Sequence, residues 1–220
     1  MKTLFAVKSC RSHRQEGYHD EIMDTWGKDV PNGDIRFFTG DADRFLPKKS
    51  NEVCLGVPDD YMGLPLKTKG IIGWSLWNGY DFTFLCDTDS FIVPNNLLRC
   101  GFEAFDYSGR FGAMPEIGTT FHYRDAHGDY LNCHPWASGG VGYFLSRKAG
   151  ELVAREWPKV WAEDLWVGQV LGPYIQAGTV TASDLPIECV SAWHFPRRQY
   201  NNESYSLKHD WMVKMYVDHH

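Results

Sequence analysis

Tyr80-Asp81-Phe82-Thr83-Phe84-Leu85-Cys86-Asp87-Thr88-Asp89-Ser90-Phe91-Ile92-Val93-Pro94 is an apolar run that ends in a pair of carboxylates one residue apart. Residues 80–86 are rich in aromatic and strand-forming side chains, as a short strand buried in the middle of a sheet requires. Packing gives no reason for Asp87 and Asp89 to stand where that strand stops. In an open α/β sheet, ligands sit beyond the carboxyl ends of the central strands. Hard oxygen donors there suit Mg²⁺ or Mn²⁺, which proteins hold by one or two carboxylates plus the phosphates of a substrate. Asp-x-Asp also occurs as a solvated turn, so the rest of the chain has to decide.

Upstream, Leu66 to Trp77 carries Ile71, Trp74, Leu76 and Trp77 at helical spacing and predicts a helix laid on the sheet. Leu4–Val7, Asp34–Phe38 and Glu52–Val57 read as further strands. The polar stretch from Lys8 to His19, with Arg11, His13 and Arg14, reads as a loop before a short helix over Glu21–Trp26. Downstream, 95–105 reads as a helix or helical turn, and 106–135, rich in Gly, aromatics and His, as a loop or hairpin. Ser138-Gly139-Gly140-Val141-Gly142 is a Gly-rich turn into a strand, and Ser146 is placed to cap a helix over Arg147–Trp157. A helix begins near Ala162-Glu163-Asp164, and Ile187–Val190 reads as a last strand. Strands alternating with helices predict an α/β domain with a mostly parallel sheet.

A chain of 220 residues can bury a full core as one domain. Nine Trp point first to a large packed interior and second to a surface able to stack on sugars or bases. A net charge of −6 argues against a general attraction to nucleic acid or anionic membrane. No apolar stretch is long enough for a transmembrane helix, and Leu4–Val7 is too short for a signal-peptide core, so a soluble, cytoplasmic protein is expected. Cys10, Cys54, Cys86, Cys100, Cys133 and Cys189 are scattered without Cys-x-x-Cys spacing and read mostly as reduced core residues, or as a disulfide pair in a secreted protein.

Several separated motifs, in order, then resemble one family. Arg14 with Ile22-Met23-Asp24-Thr25-Trp26-Gly27, Phe37-Phe38-Thr39-Gly40-Asp41, Tyr61 with Leu64-Pro65-Leu66-Lys67-Thr68, Asp87-Thr88-Asp89 with Phe91, Ser138-Gly139-Gly140 with Gly142-Tyr143, and Glu163-Asp164 with Val167-Gly168 together cover roughly residues 4–196. The chain resembles the inverting glycosyltransferases of family 31, the β-1,3-galactosyl- and N-acetylglucosaminyltransferases and the Fringe enzymes. It departs from them at Thr88, where most members carry a third acid, and in lacking a recognisable membrane anchor, stem and acceptor-binding segments.

The resemblance implies a GT-A fold over residues 1–220: a Rossmann-like sheet with a nucleotide-sugar half (1–95), an acceptor and catalytic half (96–200) and a tail (201–220). It implies a UDP-sugar donor and a Mn²⁺ or Mg²⁺ ion between protein and diphosphate, neutralising charge as the anomeric bond breaks. Asp89 is the expected metal ligand. Asp87 is expected on the ribose, on water around the ion, or sharing the ion. His194 is a candidate third ligand, or a core histidine between Trp193 and Phe195. Asp164 aligns with the family's general base, with Glu163 in reserve, although acids in a first helical turn also serve the helix dipole. Gly139 and Gly140 are expected against the donor sugar. Arg11 and Arg14 are expected near the diphosphate or uracil, Thr39, Asp41 and Thr88 near the nucleotide, and Lys67 on Asp59, Asp60 or the phosphates.

The expected activity is therefore metal-dependent, inverting transfer to a hydroxyl on a glycan, a protein or another acceptor. The same fold acting on a hydroxymethylated nucleic-acid base is one alternative, though the acidic balance speaks against duplex binding. A non-catalytic nucleotide-sugar or glycan-binding module is the other.

Overall fold

The computed structural model describes residues 1–41, 44–45, 47–112, 114–124, 130–185, 193–194, 212 and 216, with Tyr130, Trp193 and His194 described in their backbone. The apolar run Leu4–Val7 forms β1 (Thr3–Lys8), and β2 (Ile35–Thr39), β3 (Glu52–Cys54) and β4 (Phe82–Asp87) line up parallel to it. With β6 (Tyr107–Gly109), β9 (Tyr143–Ser146) and β10 (Ala182–Asp184) they make a seven-stranded sheet in the order β10-β6-β9-β4-β1-β2-β3. The hairpin of β7 (Phe121–Arg124) and β8 (Tyr130–Cys133) stands apart, and β5 (Ser90–Phe91) pairs with β11 (Trp193–His194).

Successive side chains of β1 go to opposite faces, as the two-residue period of a strand dictates. Phe5 and Val7 join Ile22, Trp26, Phe37, Phe84 and Phe144 on one face. Leu4 and Ala6 join Phe38, Ile71, Leu85, Tyr143 and Trp166 on the other. The second face is covered by α3 (Leu64–Trp77), α5 (Arg147–Arg155) and α6 (Glu163–Gln176), and α5 starts where Ser146 Oγ accepts the Ala149 N–H at 3.2 Å. Among the described residues no helix is long and apolar enough to cross a membrane.

Two expectations are corrected and two are refined. The mostly parallel sheet holds for six of its seven strands, with β9 running antiparallel between β4 and β6. The Gly-rich turn delivers the chain to the carboxyl edge of β4, so the next strand has to run back. Gly142 makes the reversal at φ +102°, where a Cβ would lie 2.4 Å from Phe84 Cζ. The expected loop over 8–19 folds into α1 (Arg11–Gln15) and the start of α2 (Tyr18–Asp24).

The buried face of α3 is also not the apolar stripe expected. It runs through Lys67, Thr68, Ile71, Ile72 and Ser75, while Trp77 is 90% exposed. At about 100° per residue, Trp77 falls about 120° round the helix from Ile71, off the buried face. The polar members are tolerated inside because each has a partner: Lys67 on Asp59, Thr68 on Glu163, Ser75 on Thr83. Finally, the helix or helical turn expected over 95–105 is two short pieces, α4 (Pro94–Leu97) and a 3-10 turn at Phe102–Ala104. The three-residue strands β6 and β10 were too short to show an alternation. The strand expected at Ile187–Val190 and the tail from 201, apart from Met212 and Tyr216, lie outside the described residues.

Candidate active site

Because β1, β2 and β4 are parallel, their carboxyl ends share one edge of the sheet. Lys8 ends β1 directly opposite Asp87, which ends β4. The turn before β9 and the first turn of α6 reach the same edge. These elements converge on the Lys8 ammonium, whose side chain is 2% exposed. It lies 3.2 Å from Asp87 Oδ1, donates to the Gly139 carbonyl at 3.3 Å and is paired with Glu163 Oε1. Burial alone would discharge such an amine, but Asp87, Glu163 and Asp164 more than reverse that and hold it charged.

Glu163 is the most tightly held acid of the group. Its Oε1 takes Lys8, while Oε2 accepts from the Tyr143 hydroxyl at 2.7 Å and from Thr68 Oγ1 at 3.3 Å. Asp164 is held only by backbone: the Gly139 N–H donates to Oδ2 at 3.0 Å and the Leu165 N–H to Oδ1 at 2.8 Å. Burial, then the neighbouring Glu163 charge, pushes the Asp164 carboxyl up. Asp87 is also pushed up, by burial against the pull of Lys8, with Asp89 and Glu163 adding to the rise. The pair Glu163-Asp164 therefore divides into one carboxylate held by side chains and one held by backbone N–H groups.

Gly139 and Gly140 join the two halves of this edge. A Cβ on Gly139 would lie 2.1 Å from Glu163 Oε1, so only glycine lets the turn lie against that acid. Its N–H is bound to Asp164 and its carbonyl to Lys8, while the Gly140 carbonyl accepts from Ser90 Oγ in β5, just past Asp89. Asp89 is half-buried in that connection. The backbone of His194 pairs with Ser90, which brings the strand carrying it beside Asp89; the ligand role expected of its side chain lies outside what is described.

The remaining expected residues are distributed around this centre. Thr88 is 1% exposed, and its hydroxyl meets His13 Nδ1 at 2.6 Å, tying the Asp-Thr-Asp turn to α1. Arg11 lines a cleft of about 500 Å³ with Cys10, Ser12, Gln15, Asp59 and Asp60, and its N–H donates to Asp59 Oδ2 at 2.7 Å. Lys67 pairs with Asp59 Oδ1 at 2.9 Å. Thr39 is buried at the end of β2, and Asp41 is exposed just beyond it. Arg14 stands outside the acid cluster, its guanidinium forked onto Glu52 at 3.1 and 2.9 Å.

Sequence reasoning passed over Lys8, Tyr143 and Thr68 as members of the cluster. Lys8 had a signal: a charge closing an apolar parallel strand is as unexplained by packing as Asp87. Tyr143 and Thr68 had none, since a buried hydroxyl is recognised only by its partner.

Among the described residues no three His, Cys, Asp or Glu side chains are grouped to hold a metal ion by themselves. Asp87 and Asp89 fit a hard divalent cation that completes its shell with ligand oxygens, because the cluster carries more carboxylates than the single Lys8 ammonium balances.

No protein-family model matches the chain, and no curated protein matches it. Among solved structures it is similar to 4-diphosphocytidyl-2C-methyl-D-erythritol synthase from Anaerococcus prevotii, at 10% identity over 86% of this chain and 89% of that one, with a TM-score of 0.49. It is also similar to the inositol-1-phosphate CTP transferase from T. maritima, at 15% identity over 98% of this chain and 96% of that one, with a TM-score of 0.49. Likeness at this level adds nothing to the chemistry of the edge, which rests on the residues themselves.

Proposed function

We propose that the chain is a metal-dependent, inverting glycosyltransferase that moves a sugar from a UDP-sugar to an acceptor hydroxyl and forms a β-linkage, as its resemblance to family 31 implies. The observation that carries this reading is the cluster of Asp87, Glu163 and Asp164 around Lys8 at one sheet edge, with half-buried Asp164 held, among the described residues, by the Gly139 and Leu165 N–H groups. In the reading, Asp164 takes the proton of the acceptor hydroxyl. The acceptor oxygen bonds to the anomeric carbon, the bond from that carbon to the diphosphate oxygen breaks, and its electron pair leaves with UDP. A carboxylate pushed upward by its surroundings is the better proton acceptor, which favours Asp164 over the hydrogen-bonded Glu163. Glu163 then positions: with Lys8 it fixes Gly139 and, through Gly139, the aim of Asp164.

Asp89 and Asp87 would hold a Mn²⁺ or Mg²⁺ ion, with His194 as the further ligand. Bound there, the ion supplies positive charge against the departing diphosphate. The pairing of the His194 backbone with Ser90 supports that assignment. Arg11, Thr39 and Asp41 border the edge on the β2 side and are the proposed neighbours of the nucleotide, with Thr88 and Lys67 shaping its floor.

The test is UDP release from UDP-glucose, UDP-galactose and their N-acetyl forms, with and without Mn²⁺. At least one donor should be hydrolysed slowly, and only with the metal. Asp89→Asn should abolish Mn²⁺-dependent UDP binding. Asp164→Asn should keep UDP binding and lose roughly 10²- to 10⁴-fold in transfer. Wild-type turnover from Asp164→Asn would remove the base, and absence of UDP binding with Mn²⁺ would remove the whole reading.

A further inference from the structure

Tyr61 is 65% exposed, an unusual place for a large ring that packs against no core cluster. It sits on a 3-10 turn, Tyr61–Gly63, whose preceding Asp60 carboxylate accepts the Gly63 N–H at 2.7 Å. The ring is thereby held out by a capped turn. Its centroid lies 5.8 Å from that of Trp161, with the planes 39° apart.

The two aromatics come from the segments leading into α3 and α6, whose first turns are joined by the Thr68–Glu163 hydrogen bond. Trp161 is three residues before Asp164. Burial, and then the charges of Asp164, Asp87 and Glu163 in that order, push the Tyr61 hydroxyl up, so the hydroxyl lies within electrostatic reach of the acid cluster. An aromatic face beside carboxylates matches a pyranose, which offers one face of C–H groups and a rim of hydroxyl donors. A uracil would stack as well, since Asp59 and Asp60 just before Tyr61 also line the Arg11 cleft; what favours the acceptor sugar is Trp161, on the segment that leads into Asp164.

We propose that Tyr61 and Trp161 form the platform on which the acceptor sugar stacks, presenting its hydroxyl to Asp164. The inference rests on the transferase reading for the identity of that sugar as acceptor. The platform itself does not.

Saturation-transfer NMR with methyl β-D-glucopyranoside, methyl β-D-galactopyranoside and their N-acetyl counterparts, in UDP and Mn²⁺, tests it directly. Ring C–H protons of at least one glycoside should receive saturation from the wild-type protein. The signal should fall about fivefold or more in Tyr61→Ala and in Trp161→Ala, and persist in Tyr61→Phe, because stacking needs the ring and not the hydroxyl. No signal from any glycoside, or an undiminished signal in Tyr61→Ala, overturns the proposal. UDP-sugar hydrolysis by the same wild-type samples separates the two claims. Hydrolysis without a glycoside signal removes the platform alone. A Tyr61-dependent glycoside signal without hydrolysis keeps the platform and removes the transferase reading.

Discussion

Around Glu52 the donors outnumber the acid. Arg14 forks onto its carboxylate, His19 Nδ1 lies 2.9 Å away and the Lys49 N–H donates at 2.8 Å. Around Lys8 the balance is reversed, with one ammonium facing Asp87 and Glu163 while Asp164 sits close by. Both clusters are buried, and both tie together segments far apart in the chain. Burial works against the Glu52 charge, yet Arg14, the Lys49 amide and His19 outweigh it and bring the carboxyl down to about 2. At the sheet edge the same burial is not overcome, and Asp87 and Asp164 are pushed up. The first cluster is a closed joint between α1, α2 and β3. In the second, among the described residues, three carboxylates share one ammonium, an arrangement that a cation, a proton or a ligand donor can stabilise.

The largest effect should come from removing the one charge the edge depends on. Lys8→Met leaves buried carboxylates without a counter-ion and should cost about 3–5 kcal/mol in urea unfolding, against about 1–2 kcal/mol for Arg14→Met, where Glu52 keeps other donors. Adding Glu163→Gln to Lys8→Met should recover part of the loss. Equal costs for Lys8→Met and Arg14→Met would erase the contrast.

Next in size is the response to a cation. Mn²⁺ and UDP at about 100 times their dissociation constant should stabilise the wild type by about 2.7 kcal/mol, a rise in Tm of about 5–10 °C. Asp89→Asn should lose this rise, whereas Glu52→Gln should keep it. A similar effect is expected from crowding the turn: Gly139→Ala should cost about 1–3 kcal/mol by the urea midpoint, because the new methyl displaces Glu163 from Lys8.

The smallest and most diagnostic effect is the slope of stability with pH. Glu52, lowered in the fold, contributes stability that is complete above its ordinary value of 4.5 and lost as pH falls toward about 2. Asp87 and Asp164, raised in the fold, work the other way: stability declines as pH rises from the ordinary carboxylate range through their raised values. Urea midpoints across this range should show the acid limb flattened in Glu52→Gln and the decline above it flattened in Asp164→Asn. Parallel profiles for the two variants would mean the clusters are balanced alike.

Much of the fold was legible because its signals are local. The apolar runs became β1, β2 and β4 within a residue or two of where they were read, and Ser146 caps α5 as expected. The Asp-Thr-Asp turn could be singled out because carboxylates there have no packing purpose, whereas the Glu-Asp helix start stood out by the resemblance, since acids in a first helical turn also serve the helix dipole. Other residues misled. The stretch carrying Arg14, expected near the diphosphate or uracil, folds as α1, where Arg14 forks onto Glu52; a helix of five residues in a polar stretch has no periodicity to announce it. Trp77 counted toward an apolar stripe that the sheet does not use.

From the chain alone came β1 to β4 and β9, their order of appearance, the acids that end β4 and begin α6, and the glycines required between them. Each follows from burial periodicity or from backbone freedom, which neighbours in sequence are enough to express. Only the tertiary structure decided that β9 runs backward through the sheet, that Lys8 and Glu163 meet across 155 positions, and that of two adjacent acids one is held by side chains and the other by backbone. Charges that find each other across such a distance leave no pattern in the intervening residues, because Coulomb attraction and hydrogen bonding depend on where the packed sheet brings them and not on their spacing along the chain.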